Sequence, residues 1–221
     1  MTLSLSPNLL FDLDGTLVGS GPLHDSAYRQ VLQQHMPELL QHYRYGSVKG
    51  RSTRDAFVAL GIHGAKELEL LTLAKQQTYR DLILRRRLEL LPGAQQVLDV
   101  LCAMGSTMFL VTSGSRTSVM SALRSTGIEQ VFSGVITGED VRVGKPAPEP
   151  YQCCLQRHGL HPRMCIAVED SMSGIMSARR ASLPVIGVHD SEIAVWVDEF
   201  FSSFWDFEQW IHSTVSWGVG S

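Results

Sequence analysis

Asn8-Leu9-Leu10-Phe11-Asp12-Leu13-Asp14-Gly15-Thr16-Leu17 is an apolar run that ends in two carboxylates spaced two apart and then a Gly-Thr turn. The run predicts a short buried strand. Side chains alternate along a strand, so Asp12 and Asp14 start on one face, and the turn at Gly15 redirects the second carboxylate. One carboxylate is then placed to attack and the other to handle protons. A carboxylate is a weak nucleophile, yet it displaces a phosphoryl group when a divalent cation neutralises the approaching charges and the leaving oxygen is protonated. Asp12 suits attack and Asp14 suits acid/base work.

Strand-like runs recur near 107–111, 133–136, 164–168 and 184–188, alternating with helix-like stretches near 93–104, 116–126, 149–158 and 172–181. This alternation predicts an α/β fold, a Rossmann-like parallel sheet with helices on both faces. Such sheets bind ligands at the carboxyl ends of their strands, beside the topological switch point. Polar clusters stand at those ends. Thr112, Ser113 and Gly114 follow Phe109–Val111 and offer a hydroxyl and turn amides to an anion. Lys145 sits between Gly144 and Pro146, where the proline restricts the loop and the ammonium can act as a point charge on phosphate. Glu169 and Asp170 follow the apolar stretch 164–168, and their hard oxygens suit Mg²⁺.

Residues 20–90 contain no convincing strand. They read as helices near 22–36, 38–44, 53–60 and 65–87, with breaks around Gly46 to Gly50 and Gly61 to Gly64. Leu91-Pro92-Gly93 marks the return to the sheet, so the expected division is a core of residues 1–19 and 91–221 with an inserted helical cap of residues 20–90.

Four segments, in order, resemble the haloacid dehalogenase-like (HAD) superfamily: Phe11-Asp12-Leu13-Asp14-Gly15-Thr16-Leu17, Leu110-Val111-Thr112-Ser113-Gly114, Gly144-Lys145-Pro146-Ala147-Pro148 and Val168-Glu169-Asp170-Ser171-Met172-Ser173-Gly174. The all-helical insert is similar to the small cap of the branch that includes β-phosphoglucomutase and many small-metabolite phosphatases. The resemblance implies a Mg²⁺-dependent phosphatase acting on a small phosphorylated metabolite, a sugar or polyol phosphate, through an aspartyl-phosphate on Asp12. Asp12, the Asp14 backbone carbonyl and Asp170 would hold the metal, with Glu169 orienting metal-bound water, while Thr112 and Lys145 stabilise the phosphoryl oxygens. The dehalogenases themselves lack a carboxylate at the position of Asp14, so C–Cl cleavage is not expected.

In the cap, the spacing of His24 from Asp12 and the pattern Lys75-x-x-x-Tyr79 resemble the phosphoglucomutase-like branch, with His24 as a proton relay and Lys75 as a substrate contact. The loop Lys49-Gly50-Arg51-Ser52-Thr53-Arg54-Asp55 offers Gly50, Arg51 and Arg54 to the far end of the substrate. Arg54 is displaced by one residue from the mutase pattern, and Gly19 stands where many relatives have Asp. Two alternatives stay open: a phosphosugar mutase, and a non-enzymatic phosphometabolite-binding protein on the same fold.

A net charge of −3, a pI near 6.2 and 44% hydrophobic residues give no electrostatic reason to expect a nucleic acid partner. No run approaches the roughly 18 apolar residues of a membrane span and no signal peptide precedes the first strand, so a cytoplasmic monomer is expected. Cys102, Cys153, Cys154 and Cys165 lack metal-site spacing, and the apolar settings of Cys102 and Cys165 assign both to the core. Arg85-Arg86-Arg87 reads as a solvated helix end. The aromatic stretch from Phe200 to Trp210 reads as a last edge strand and helix, and residues 213–221 as a loose tail.

Overall fold

The computed structural model describes residues 7–86 and 88–214; Arg87, the last of the basic run, and residues 215–221, most of the expected tail, lie outside them. Six parallel strands form one sheet: β1 (Asn8–Phe11), β2 (Thr107–Val111), β3 (Gly134–Ile136), β4 (Cys165–Glu169), β5 (Val185–Val188) and β6 (Glu199–Phe201), in the order β3-β2-β1-β4-β5-β6. The chain leaves β1 toward β2 and β3 on one side, then crosses back to β4 on the other. That crossover leaves the carboxyl end of β1 open between its two neighbours.

Period-two alternation explains how these strands are buried on both faces. Leu9, Phe11, Met108, Leu110, Ile166, Val168, Ile186 and Val188 turn to one face. There they pack under helices α4 (Ala94–Ala103), α5 (Arg116–Thr126) and α8 (Phe204–Thr214). Leu10, Phe109, Val111, Cys165, Ala167 and Val185 turn to the other, under α6 (Glu149–His158) and α7 (Met172–Arg180). Each such Leu or Phe contributes about 1.5–3 kcal/mol by leaving water. The aromatic segment supplies β6 and α8, with Phe201, Phe204 and Phe207 buried. Cys102 is exposed, contrary to expectation. The α4 stripe Ala94, Val97, Leu98 and Leu101 faces the sheet, and one residue beyond it the helix has turned about 100° away.

Between β1 and β2 the chain forms α1 (Gly21–His35), α2 (Thr53–Ala59) and α3 (Ala65–Arg86). These helices enclose their own apolar cluster around Tyr28, Leu32, Tyr43 and Phe57. The segment's two ends lie side by side: Val18 bridges Leu90 antiparallel, and the Leu91 amide donates to the Leu17 carbonyl at 2.9 Å. The helix expected at 38–44 does not form. A 3₁₀ turn at Pro37–Leu39 and further turns take its place. Met36 leaves the helical region before Pro37, and Tyr43 is drawn wholly into the aromatic cluster beside Tyr28.

Candidate active site

Strand parity, not sequence adjacency, builds the centre of the site. Asp12 continues the alternation of Leu10, and Glu169 that of Cys165 and Ala167, so both carboxylates turn to the α6/α7 face. Lys145 arrives there from the loop before α6. Its ammonium donates to Asp12 Oδ1 at 2.7 Å, Glu169 Oε1 at 2.6 Å and the Val111 carbonyl at 2.8 Å. The lysine is 2% exposed. Its loop is fixed on three sides: Glu149 accepts from the Arg142 and Val143 amides, Ser177 donates to the Ala147 carbonyl, and Arg180 donates to the Pro146 carbonyl. Burial works to lower the Lys145 ammonium, but Asp12 and Glu169 together hold it above its ordinary value.

Asp12, Glu169 and Asp170 each bring a ligand oxygen within 4.8 Å of the others, and all three are buried. Burial raises each carboxyl, partly offset by Lys145 at Asp12 and Glu169 and by Lys49 at Asp170. Two glycines make room for this crowding. Gly15 has φ +88°, and a Cβ there would strike the Asp170 carboxylate; a Cβ at Gly174 would strike that of Glu169. Glu169 Oε2 is buried with no hydrogen-bond partner among the described residues. Three buried carboxylates facing two ammonium groups, with one oxygen unsatisfied, form a donor set that fits a hard divalent cation. The Asp14 side chain is not part of this cluster.

Asp14 is instead turned to the cap by the Gly15 turn. Tyr79 donates to Asp14 Oδ1 at 3.2 Å, and His24 Nε2 lies 3.1 Å from the same oxygen, close enough for charge interaction though not aligned as a hydrogen bond. His24 stacks on Tyr79 with ring centroids 3.9 Å apart, and its Nδ1 is 2.6 Å from Lys75 Nζ. A charged lysine only donates, which assigns the ring proton to Nε2, facing Asp14. Burial works to raise Asp14, but the neighbouring His24 ring, with Ser20 and Lys75, holds it below the ordinary carboxylate range. Burial pulls Lys75 down to about 7. His24 and Lys75 are therefore inner residues and not solvated helix positions.

Asp12, Asp14, His24 and Lys75 share a small chamber of about 40 Å³ with Gly50, Arg51, Thr53, Thr112, Ser113 and Gly114. The insert between β1 and β2 touches it directly: Ser113 donates to the Gly50 carbonyl at 3.0 Å, and Gly50, at φ +77°, lies so close to Ser171 that a Cβ would collide. Arg54 is not in the chamber. It is exposed and lines a neighbouring groove with Glu139 and Arg142, because the first turn of α2 carries Thr53 inward and rotates the next residue away.

The contacts of three residues escaped the sequence reading. Lys49 reaches from the cap to Asp170 Oδ2 at 2.8 Å and to Asp190 at 3.5 Å. Thr16 donates to Asp170 Oδ1 at 3.3 Å. Tyr151, on α6, donates to Glu169 Oε1 at 2.6 Å. Lys49 stood in a basic loop and Thr16 in the first motif, where they could have been singled out. Tyr151 carried no signal beyond its place six residues after Lys145.

The haloacid dehalogenase-like hydrolase family matches residues 9–188, a span that includes every one of these groups except Asp190. The chain is a haloacid dehalogenase-like hydrolase. This hydrolase is 32% identical over 197 residues to the validoxylamine A 7'-phosphate phosphatase of Streptomyces hygroscopicus subsp. limoneus, covering 86% of this chain and 90% of that one. It is 32% identical over 184 residues to hexitol phosphatase A of Escherichia coli, covering 81% and 82%. In fold it is similar to a β-phosphoglucomutase from Clostridium difficile, with a TM-score of 0.82 at 20% identity over 95% of this chain and 97% of that one. Among the described residues no helix is long and apolar enough to cross a membrane.

Proposed function

We propose that this hydrolase is a Mg²⁺-dependent phosphatase of a small phosphorylated metabolite, a sugar or polyol phosphate, working through an aspartyl-phosphate on Asp12. The observation that carries the reading is the divergence of two carboxylates two residues apart. Asp12 lies in the cation-binding cluster beside Lys145, while Asp14 faces His24 and Tyr79, and both line one chamber with Thr112 and Ser113. Relatives named for phosphatase activity on validoxylamine A 7'-phosphate and on hexitol phosphates support the substrate class.

Asp12, Glu169, Asp170 and the Asp14 backbone carbonyl would hold Mg²⁺. When bound, it supplies the charge neutralisation that lets a carboxylate approach a phosphoryl group. Asp12 attacks phosphorus in line, forming the acyl phosphate as the bond to the leaving oxygen breaks. Thr112, the turn amides of Ser113 and Gly114, and Lys145 stabilise the equatorial oxygens. Asp14 delivers a proton to the leaving oxygen. The Lys75–His24 pair, with Lys75 at about 7, holds an exchangeable proton near neutral pH to supply it. Asp14, held ionised by the same pair, then takes a proton from the water that hydrolyses the acyl phosphate.

A second reading, a phosphosugar mutase, is favoured by the contact of the helical insert with the turn beside Asp12, where Ser113 donates to the Gly50 carbonyl and water at the acyl phosphate would be limited. The outward position of Arg54 counts against it. The test is phosphate release with and without Mg²⁺ across sugar, polyol and nucleotide monophosphates, alongside β-glucose 1-phosphate with its bisphosphate activator. Metal-dependent release, abolished in Asp12→Asn with the fold retained, is expected. Isomerisation without release would select the mutase, and turnover by Asp12→Asn would overturn both readings.

A further inference from the structure

Glu169 is wholly buried, so something within the fold must hold its carboxyl group in one orientation. Oε1 receives two donors at 2.6 Å, the Lys145 ammonium and the Tyr151 hydroxyl, while Oε2 has no partner among the described residues. Lys145 cannot fix Glu169 alone, because its ammonium is also shared with Asp12 and the Val111 carbonyl. Tyr151 makes no other side-chain hydrogen bond among the described residues. Its ring is 0% exposed, packs in the α6/α7 apolar cluster and lies 5.3 Å from the Lys145 ammonium. A hydroxyl on a rigid ring carried by a helix defines one direction for the carboxylate it bonds, since a buried tyrosine has only two side-chain torsions and its body cannot move.

We infer that Tyr151 is the positioning residue of the cation site: its hydroxyl fixes the Glu169 carboxylate so that this ligand is set before a divalent cation arrives. The inference rests on the reading of Asp12, Glu169 and Asp170 as a cation site. Partners of this kind typically change metal affinity by about 10–100-fold when removed. The same hydroxyl ties α6, which follows the Lys145 loop, to the end of β4, so one contact sets two of the groups that face Asp12. Tyr151 does not line the chamber, so it is not a catalytic residue.

The test is calorimetric titration of the chelator-stripped full chain with Mn²⁺, wild type against Tyr151→Phe, with thermal melting of both in chelator. The phenyl ring keeps the packing and removes only the hydroxyl. Wild type is expected to bind one Mn²⁺, and Tyr151→Phe to bind it about 10–100-fold more weakly. In a Glu169→Gln background, Tyr151→Phe is expected to add no further loss, because the effect acts through that carboxylate. Should Tyr151→Phe not fold, Tyr151→Met fills the same space and is expected to show the same loss. Equal affinity in the folded variant, or an equal further loss in the Glu169→Gln background, overturns the inference and leaves the cation site standing. A wild type that binds no divalent cation overturns both.

Discussion

Replacing Lys145 by Met removes a buried cation and leaves Asp12, Glu169 and Asp170 facing one another. At 2.6–2.7 Å each ion pair carries a gross attraction of ~6 kcal/mol at an effective dielectric near 20, most of which desolvation cancels. Breaking a buried pair on one side costs about 3–5 kcal/mol net, against a total stability of ~5–15 kcal/mol. For a chain of this size 1 kcal/mol moves Tm by roughly 2–4 °C, so a loss of ~4 kcal/mol predicts a drop of about 8–16 °C at pH 7.5 in chelator. The pH dependence has a definite direction. Burial already holds these carboxyls above their ordinary values, so the folded chain binds protons more tightly than the unfolded one. That contribution is complete below the ordinary carboxylate range near ~4 and is lost as pH rises through the raised values. Without Lys145 to oppose them, the carboxyls rise further, and the variant's deficit shrinks on acidification to pH 5.5. Mn²⁺ at a hundredfold excess over Kd stabilises each chain that binds it by about 2.7 kcal/mol, wild type included, so it shrinks the deficit only by the extent to which the variant binds the ion more tightly. Thermal and urea unfolding followed by circular dichroism measure all three. A Lys145→Met chain as stable as wild type at pH 7.5, or a deficit indifferent to pH, would refute the charge argument.

Lys75→Met removes a buried base whose ammonium is held down to about 7, so its folded value lies below the unfolded one. Wild type therefore loses stability as pH falls from the ordinary lysine range through 7, and the variant gains on wild type between pH 9 and pH 6; urea midpoints that move in parallel would contradict this. Lys49→Met removes the ammonium that shares Asp170 with an incoming cation. Because that lysine is 29% exposed, the pair is worth only ~0.5–1 kcal/mol, and Mn²⁺ should bind about two- to fivefold more tightly, a change that calorimetry resolves. Weaker binding in Lys49→Met would make the lysine a supporter of the site and not a competitor.

The alternation of apolar strands with helical stretches, the placement of Asp12, Thr112 and Glu169 at strand ends, and that of Lys145 in a Gly-Pro loop were legible because period and polarity are local properties of the chain. They determined the layered fold and the end of the sheet where polar groups would gather. Local pattern failed where burial depends on what packs opposite. Cys102 sits in an apolar neighbourhood yet faces water, and residues 38–44 gave up a helix for the sake of Tyr43. Tertiary structure alone decided that Asp12 and Asp14 part company, one to Lys145 and one to His24. It also decided that Arg51 faces the chamber while Arg54 does not, and that Tyr151 reaches Glu169. The physical reason is the same in each case. Sequence spacing fixes which face of a strand or helix a residue occupies. Which partner waits there, and whether water is excluded, follow from elements more than fifteen residues away in the chain, as Lys145 and Glu169 both are from Asp12.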